Sequence, residues 1–553
     1  SKIHSLVELF FNNENQIKKN QFFLKWLNRK DNKEYSWEEV TEKIYKLSYK
    51  IKNHINSGDR VLLLSENRPE WLISDLAIMN AGGITVPIFT TYTEKDYEYI
   101  LKDCSPSLVI VSDSSQYEKI KRFIKDKKLI SFEHIENRII TFKNIFSENF
   151  KKEINQNLNR KMPACIIYTS GTSGNPKGVV LSHGGILSNC EGALKLLKPL
   201  LKKKDPIFLT WLPLSHSYEH TVQMIQILLG AKVFYAENLE KLISNMSIAK
   251  PTIMTAVPRF YQNIYTKINM NFEKQKGLKK LLIFKTLNLG KKILLNIELN
   301  FFEKLQNFIC QVLVRRKIRS QFGGNLLAFI SGGGPLDQNV GEFLNAIGLP
   351  TLQGYGLTET SPVVSCNIPG RVRVETVGPP FKTNKVKIAE DGEILVNGEN
   401  VMLGYWNQKE ATEEVLKDGW LHTGDIGEID SNGFLKITDR KKDIIVNLGG
   451  DNISPSKLEN ILCLNELIKQ ALVYGDKKNY LVALIVAEKE INSEKIKIIL
   501  ENINKNFTII EKIKKFVLVH EEFTINNGML TPTLKLKRKE IIKNYKQQLE
   551  NLY

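Results

Sequence analysis

The segment YTSGTSGNPKG, from Tyr168 to Gly178, has the composition of a phosphate-binding loop. Its hydroxyl, glycine and lysine residues are Thr169, Ser170, Gly171, Thr172, Ser173, Gly174 and Lys177. Glycines let backbone N–H groups approach an oxyanion closely, hydroxyls donate hydrogen bonds, and a lysine adds positive charge. The segment is not a Walker A loop, because no Gly-Lys-Ser/Thr sequence ends it. The alternative is a flexible Ser/Gly turn, which the presence of a lysine in a segment of this composition disfavours.

A second segment, QGYGLTET from Gln353 to Thr360, carries other groups that a nucleotide needs. Tyr355 stands between two glycines and offers a flat face on which a base can stack. The hydroxyl of Thr358 can donate to a phosphate, and the carboxylate of Glu359 can bind the Mg²⁺ that accompanies ATP. Without the other segments, a buried tyrosine beside a surface glutamate would be the default interpretation.

A third segment, DGWLHTGD, ends at Asp425, and Arg440 follows further along the chain. A carboxylate at the end of a strand can accept both ribose hydroxyls, as acidic residues do in other nucleotide sites. The planar guanidinium of Arg440 can donate two parallel hydrogen bonds to ribose or phosphate oxygens. Either residue alone would more often be the partner in a surface ion pair.

In this order the segments resemble the signature of the adenylate-forming superfamily, which contains acyl-CoA synthetases, luciferases and the adenylation domains of peptide synthetases. The resemblance runs along nearly the whole chain. Thr255–Tyr261 and residues 418–443 resemble the long-chain fatty acyl branch in particular. The resemblance implies an ATP-dependent, AMP-forming long-chain fatty acid–CoA ligase that uses ATP, Mg²⁺ and coenzyme A. Two alternatives stay open: an enzyme that loads a carrier-protein phosphopantetheine, and a basic protein that binds nucleic acid or membrane.

The resemblance also implies roles for individual residues. It makes Lys535, Thr358 and Glu359 catalytic, with Glu359 binding Mg²⁺, and it places His216, Gly332 and Gly333 in the acyl pocket. The implied ATP or AMP site comprises Thr169, Ser170, Gly171, Thr172, Ser173, Gly174, Lys177, Gly333, Gly334, Gln353, Gly354, Tyr355, Gly356, Thr358, Asp425 and Arg440. Lys442 matches the position of a hinge, and Gly449 and Gly450 would line the CoA channel after rotation of a small domain. Leu534 departs from the glycine of many relatives, which leaves Lys537 as an alternative to Lys535.

Short apolar runs alternate with helical patterns from residue 60 onward, which predicts strands that are buried on both faces of a parallel sheet. The predicted strands include Arg60–Glu66, Ile84–Ile88 and Ser107–Ser112, and a helix is predicted over Pro69–Ala81. We therefore expect an α/β fold: a large domain of parallel-rich sheets with helices over residues 1–439, and a small mobile α+β domain over residues 440–553. At 553 residues the chain is long enough for two domains.

The formal charge of +18 raises nucleic acid or anionic membrane as partners. No nucleic-acid-binding motif is evident, and half of the excess lies in residues 271–320, with twelve Lys or Arg against three Glu. Apolar residues recur there at helical spacing: Leu294, Ile297, Phe301, Leu305, Phe308 and Val312. This pattern predicts a basic amphipathic helix over 291–319. Its apolar face would either pack on the large domain or contact anionic lipid.

The six cysteines form no C-x-x-C pair, so we expect reduced thiols. His216 and His220 have the spacing of a metal pair, but no third ligand is evident. We expect no signal peptide and no membrane-spanning helix, because no apolar run approaches the roughly 20 residues required. These features predict a cytoplasmic protein that contacts the inner face of the membrane at most peripherally.

Overall fold

The computed structural model describes residues 2–16, 19–27, 30, 32–169 and 174–553. Up to residue 200 the elements are α1 (Leu6–Gln16), β1 (Phe22–Trp26), β2 (Glu34–Ser36), α2 (Trp37–Lys52), β3 (Arg60–Leu64), α3 (Pro69–Asn80), β4 (Ile84–Ile88), α4 (Glu94–Cys104), β5 (Leu108–Val111), α5 (Ser114–Ile120), β6 (Lys128–Ser131), β7 (Ile140–Thr141), α6 (Phe142–Ser147), β8 (Pro163–Thr169), β9 (Lys177–Ser182) and α7 (His183–Leu197).

Residues 201–366 form β10 (Ile207–Thr210), α8 (Ser217–Leu229), β11 (Lys232–Tyr235), α9 (Leu242–Ala249), β12 (Ile253–Ala256), α10 (Pro258–Glu273), α11 (Leu278–Leu294), α12 (Phe301–Cys310), α13 (Arg316–Gln321), β13 (Ala328–Ser331), α14 (Gln338–Ala346), β14 (Thr351–Gly356) and β15 (Val363–Cys366). The remaining elements are β16 (Asn384–Ile388), β17 (Glu393–Gly398), β18 (Gly404–Tyr405), α15 (Lys409–Val415), β19 (Leu416–Lys417), β20 (Trp420–Ile429), β21 (Leu435–Arg440), β22 (Ile445–Val446), β23 (Asn452–Ile453), α16 (Pro455–Leu462), β24 (Gln470–Tyr474), β25 (Leu481–Val486), α17 (Ser493–Asn504), β26 (Ile513–Val519) and α18 (Arg538–Glu550).

Two eight-stranded sheets dominate the large domain. One has the order β15-β14-β13-β12-β10-β11-β1-β2, and the other has the order β18-β9-β8-β4-β3-β5-β6-β7. The inner pairs of both sheets are mostly parallel, whereas the β14–β15 and β8–β9 pairs are antiparallel. The predicted α/β class with parallel-rich sheets is therefore confirmed.

The apolar runs form these strands because both faces of each sheet are covered. Every residue of β4 is buried, and so is every residue of α3, which packs against the sheet around Trp71. A strand that is covered on both faces must be apolar throughout. These strands are therefore continuous apolar runs in the sequence and do not alternate apolar with polar residues. The helices return the chain so that β8, β13 and β14 all end near one cleft.

The residues after 440 form hydrophobic cores of their own. The three-stranded sheet β24-β25-β26 has one core on the side of α16 and α17 and another on the side of α18. A smaller C-terminal domain is thus present. The exact boundary predicted between residues 439 and 440 stays a prediction.

The single helix predicted over 291–319 is wrong. The chain leaves helix α11 at Leu294, Asn296 adopts a left-handed backbone with φ of 58°, and α12 begins after Asn300. Asn300 and Glu303 form a capping box that fixes this new start. A π-helical turn over Gln311–Arg315 then leads into α13.

No helix among the described residues is both long and apolar enough to cross a bilayer. The cysteines are all unpaired, and five of the six are buried.

Candidate functional site

A cleft of about 3020 Å³ lies between the large sheets and the small domain. The predicted site residues that line it are Thr169, Lys177, His216, Gly332, Gly333, Gly334, Gln353, Gly354, Tyr355, Gly356, Thr358, Glu359, Asp425, Arg440, Lys442 and Lys535. The predicted residues Gly174, Gly449 and Gly450 do not line it; the last two form the turn between β22 and β23. Ser170, Gly171, Thr172 and Ser173 lie outside the described residues.

The predicted phosphate-binding segment connects β8 to β9. Thr169 and Lys177 face each other in the antiparallel register of these strands. The ammonium of Lys177 lies 5.3 Å from the ring centroid of Tyr405. A cation at this distance over an aromatic face is stabilised by the ring quadrupole, which holds the lysine at the rim of the cleft.

Tyr355, Asp425 and Arg440 form one hydrogen-bonded group, although they lie on three separate strands of the chain. The hydroxyl of Tyr355 donates to Asp425 Oδ2, and Arg440 Nη1 donates to Asp425 Oδ1 at 3.0 Å. Pairing of β20 with β21 sets Asp425 directly opposite Arg440. Burial raises the pKa of Asp425, and the charge of Arg440 opposes that rise. The arrangement fixes a carboxylate and a guanidinium beside an aromatic ring, as ribose and base recognition requires.

Thr358 and Glu359 follow β14 in a short 3₁₀ turn. The hydroxyl of Thr358 lies 3.1 Å from that of Ser217 at the start of α8. Tyr405 donates from its hydroxyl to Glu359 Oε2 at 3.3 Å, and burial raises the pKa of Glu359. The described residues contain no group of three side chains that could hold a metal. A single cleft-facing carboxylate fits Mg²⁺ that takes its other ligands from substrate phosphates and water.

Lys535 lies on a tight loop of the small domain that projects into the cleft. Leu530 pairs with Leu536 across the loop, Thr531 N donates to Lys535 O at 2.8 Å, and Lys535 N donates to Thr531 Oγ1 at 3.0 Å. The protein around Lys535 lowers its pKa by desolvation; Arg440 lowers it further, while Asp425 and Glu359 oppose the change. This lysine is therefore near the same groups that form the nucleotide site. Lys537, the sequence alternative, does not line the cleft.

Arg538 anchors this loop to the rest of the small domain. Its guanidinium donates to both carboxylate oxygens of Glu459 on α16, and Glu459 Oε2 also accepts from Val473 N at 2.7 Å. A bidentate pair fixes orientation as well as distance. The loop that bears Lys535 is thus attached to a rigid part of the domain.

His216 is neutral in this structure. Its Nδ1 accepts from Tyr218 N at 3.1 Å as the N-cap of α8, so its Nε2 carries the proton. Burial lowers the pKa of His216 to about 3, and the nearby charge of Lys535 lowers it in the same direction. An uncharged N–H donor therefore faces the cleft. His220 does not share a metal with it, because its Nε2 lies 2.7 Å from Asp75 Oδ2 in the buried interior.

Gly332 has no room for a side chain. A Cβ at this position would lie 2.9 Å from the ring of Tyr218, whose hydroxyl donates to Ile330 O at 2.9 Å. The next residue, Gly333, has φ of 80°, which disfavours any other residue. The turn after β13 therefore lets an aromatic ring form one wall of the cleft.

Two residues of the site were not found from the sequence. Tyr405 holds both Lys177 and Glu359, and Ser217 contacts Thr358. Tyr405 belongs to the short strand β18, whose pairing with β9 brings it to the cleft from a distant part of the chain. The only local signal is the run Gly404-Tyr405-Trp406, which alone predicts a turn.

A buried carboxyl next to the site should make stability depend on pH. Glu219 on α8 accepts from Thr255 Oγ1 at 2.8 Å, and burial raises its pKa from 4.5 to about 8. The folded protein thus holds a proton that the unfolded chain releases. The part of the free energy of unfolding that comes from this difference in pKa is fully present below about pH 4.5. It decreases as the pH rises toward 8, by up to about 1.4 kcal/mol per pH unit. We expect Glu219→Gln to remove the dependence.

Chemical denaturation of the wild type and of Glu219→Gln at pH 5, 7 and 8.5 measures how the free energy of unfolding depends on pH. The variant should gain stability relative to the wild type as the pH rises. Glu410→Gln, at an exposed position, is the matched control and should follow the wild type. Parallel curves for wild type and Glu219→Gln would contradict a protonated Glu219.

Family profiles and known proteins match this chain over most of its length. The family profile described as AMP-binding enzyme matches residues 12–406, and the profile described as AMP-binding enzyme C-terminal domain matches residues 442–553. The chain is 32% identical over 541 residues to the long-chain-fatty-acid–CoA ligase FadD15 of Mycobacterium bovis, an alignment that covers 90% of this chain and 88% of that protein. It is also 32% identical over 598 residues to long-chain-fatty-acid–CoA ligase 5 of Rattus norvegicus, an alignment that covers 95% of this chain and 85% of that protein.

Solved structures share the fold at lower identity. The anthranilate CoA ligase AuaEII in complex with anthranoyl-AMP has a TM-score of 0.79 at 21% identity, over 99% of this chain and 98% of that one. The o-succinylbenzoate CoA synthetase of Bacillus subtilis, in complex with its acyl-adenylate intermediate, has a TM-score of 0.74 at 19% identity, over 98% of both chains.

Proposed function

The chain belongs to the AMP-binding enzyme family, and from this premise we propose that it is an ATP-dependent, AMP-forming long-chain fatty acid–CoA ligase. The observation that carries the proposal is the convergence of Lys535, from the small domain, on the group formed by Tyr355, Asp425 and Arg440 in the large cleft. Relatives named as long-chain ligases support the substrate class. ATP and CoA are the cosubstrates.

In the first proposed step, a carboxylate oxygen of the fatty acid attacks the α-phosphorus of ATP and the bond to pyrophosphate breaks. The products are an acyl-adenylate and pyrophosphate. Negative charge gathers around the phosphorus, so the positive charge of Lys535 and the hydroxyl of Thr358 stabilise it where it develops. Tyr355, Asp425 and Arg440 hold the adenosine, which fixes the α-phosphate in line with the attacking oxygen. Glu359 would hold the Mg²⁺ that accompanies ATP, and the ion would supply positive charge to the phosphates.

In the second step, the thiolate of CoA attacks the acyl carbonyl carbon and AMP departs. AMP is a good leaving group, whereas the oxide that would leave a free carboxylate is not. The neutral His216 and the turn at Gly332 and Gly333 form the proposed entrance to the acyl pocket. The uncharged Nε2–H of His216 can orient the acyl carboxylate without competing with Lys535 for the phosphate.

The test mixes the purified enzyme with ATP, Mg²⁺, CoA and a panel of fatty acids from C2 to C20. We expect acyl-CoA, AMP and pyrophosphate in equal amounts, with the highest kcat/KM for long chains. Release of pyrophosphate without acyl-CoA, together with acylation of a holo carrier protein, would establish the carrier-loading alternative. ADP in place of AMP would refute the proposed chemistry.

Long-chain fatty acids partition into membranes, so we also propose that the enzyme makes peripheral contact with anionic lipid. The basic segment over 291–319 supports this because its apolar side chains Phe301, Leu305 and Phe308 are exposed.

A further inference from the structure

The carboxyl end of helix α4 contacts two segments of the cleft that are far apart in the sequence. Asp103, in the last turn of this helix, accepts a hydrogen bond at Oδ2 from the hydroxyl of Tyr168 at 2.6 Å. Its backbone oxygen accepts from Trp406 Nε1 at 3.0 Å and from Asn407 Nδ2 at 3.2 Å. Asp103 is not among the described residues that line the cleft. One residue outside the cleft thus connects segments that lie 65 and 303 positions away from it.

Tyr168 fixes the point at which the predicted phosphate-binding segment leaves β8. Its ring lies across β9 at Gly178, where a Cβ would come within 2.9 Å of the ring. Burial raises the pKa of the Tyr168 hydroxyl, and the hydrogen bond to Asp103 raises it further, so the hydroxyl keeps its proton and donates. The neighbouring pair in the same register, Thr169 and Lys177, lines the cleft. A shift of the tyrosine ring would therefore move residues that we expect to contact phosphate.

Trp406 is held from two sides, by β9 and by the end of α4. Its backbone N donates to Gly178 O at 2.7 Å, which continues the pairing of β18 with β9. The guanidinium of Arg60 lies 4.8 Å from the centroid of the indole ring, and Arg60 Nε donates to Cys104 O at 2.9 Å. Side-chain donors thus satisfy carbonyls at the end of α4 that have no partner within the helix. The helix end and the indole are therefore fixed to each other.

Through Trp406 the contact reaches Tyr405, its neighbour on β18. The ring of Tyr405 lies 5.3 Å from Lys177 Nζ, and its hydroxyl donates to Glu359 Oε2 at 3.3 Å. Lys177 belongs to the predicted phosphate-binding segment, and Glu359 is the carboxylate that we expect to hold Mg²⁺ with ATP. Both contacts therefore lie on the ATP side of the proposed site.

We propose that Asp103 is a positioning residue for the phosphate side of the nucleotide site. It holds the side chains of Tyr168 and Trp406 at fixed distances, which keeps Lys177 and Tyr405 in the arrangement that ATP requires. The role rests on the proposed function, because ATP is the substrate that these groups would receive. Asp103 contacts no reacting group, and it lies outside every motif that the sequence revealed.

Asp103→Ala and Tyr168→Phe test the hydrogen bond between these two side chains. Direct binding of ATP with Mg²⁺, measured by calorimetry without fatty acid, should weaken about tenfold in either variant. The KM for ATP in the ligase reaction should rise by a similar factor, whereas the KM for fatty acid should stay within about twofold. The double variant should bind ATP no more weakly than either single variant, because both changes remove the same bond.

Two further variants separate a specific contact from a general one. Asp103→Asn keeps an oxygen that can accept from Tyr168, so its affinity for ATP should return to that of the wild type. Glu98→Ala is the matched control: it removes a carboxylate from the same helix, where Glu98 pairs with the exposed Lys102 at 3.2 Å. ATP binding and all KM values should be unchanged in this control.

The outcomes distinguish the role of Asp103 from the proposed function. Wild-type affinity for ATP in Asp103→Ala would overturn the positioning role. So would a fall in kcat with every KM unchanged, because that result indicates fewer folded molecules. If Asp103→Ala does not fold, Tyr168→Phe carries the same test. A wild type that binds ATP but makes no acyl-CoA would refute the proposed function, and the ATP affinities of the variants would still decide the role of Asp103.

Discussion

Lys535→Ala should strongly slow formation of the acyl-adenylate and leave the transfer of a supplied acyl-adenylate to CoA intact. The lysine projects from the small domain toward Asp425 and Glu359, where the phosphates of ATP would lie. Its charge is needed only while negative charge develops at the α-phosphorus. Removal of one group that stabilises such charge typically costs about 10²- to 10³-fold in rate, and we expect a loss in this range.

Pyrophosphate release without CoA measures the first half-reaction, and thioester formation from purified acyl-AMP and CoA measures the second. Lys537→Ala is the matched control: it removes the same charge from a nearby position that does not line the cleft. Both half-reactions should survive in that variant. Equal loss of the two half-reactions in Lys535→Ala would refute the assigned role, and loss of adenylation in Lys537→Ala would shift the role to the neighbour.

The sequence predicted best those elements whose local pattern also decides their tertiary position. The predicted strand Arg60–Glu66 is β3 over Arg60–Leu64, and the predicted helix Pro69–Ala81 is α3 over Pro69–Asn80. These segments are apolar because they are buried on all sides. The same apolar pattern therefore predicts both the secondary structure of the segment and its position in the core. Gly332 and Thr358 come after the parallel strands β13 and β14, which bring their carboxyl ends to one edge. Asp425 and Arg440 instead lie within the antiparallel pair β20–β21.

Predictions failed where distant contacts or a single backbone angle decide the outcome. The bend at Asn296 depends on one left-handed residue, and an apolar pattern at helical spacing gives no warning of it. The capping box of Asn300 and Glu303 was the signal that could have revealed the break. Tyr405 reaches the cleft through strand pairing that no local pattern encodes.

Leu534 shows a conflict between sequence and backbone. The residue next to Lys535 adopts φ of 64°, the left-handed region in which glycine has no steric cost. A leucine there costs roughly 1–2 kcal/mol, and the hydrogen bonds of the loop at Thr531 supply the constraint that holds it. Position 534 therefore keeps a left-handed backbone although leucine occupies it.

Lys442→Pro should have the reverse effect of Lys535→Ala: adenylation persists and the transfer to CoA is lost. In the structure Lys535 occupies the cleft, while Gly449 and Gly450 lie away from it. We propose that in the second half-reaction the small domain turns, so that Lys535 leaves and these glycines approach. The ring of a proline locks the φ angle of its residue, which prevents the change of dihedral angle at the proposed hinge. Because misplacing reacting groups by about 1 Å can cost roughly 100-fold, overall turnover should fall by at least that factor.

The contacts around the hinge indicate what the rotation must break. Asp439, before the hinge, accepts from Ser454 Oγ at 2.7 Å and from Ser456 Oγ at 3.1 Å, both at the start of α16 after it. A rotation of the small domain about Lys442 would have to open these bonds. Lys442→Ala keeps free rotation about φ and removes the same charge, so it is the control and should turn over normally. Normal overall turnover of Lys442→Pro would show that the small domain turns about another residue.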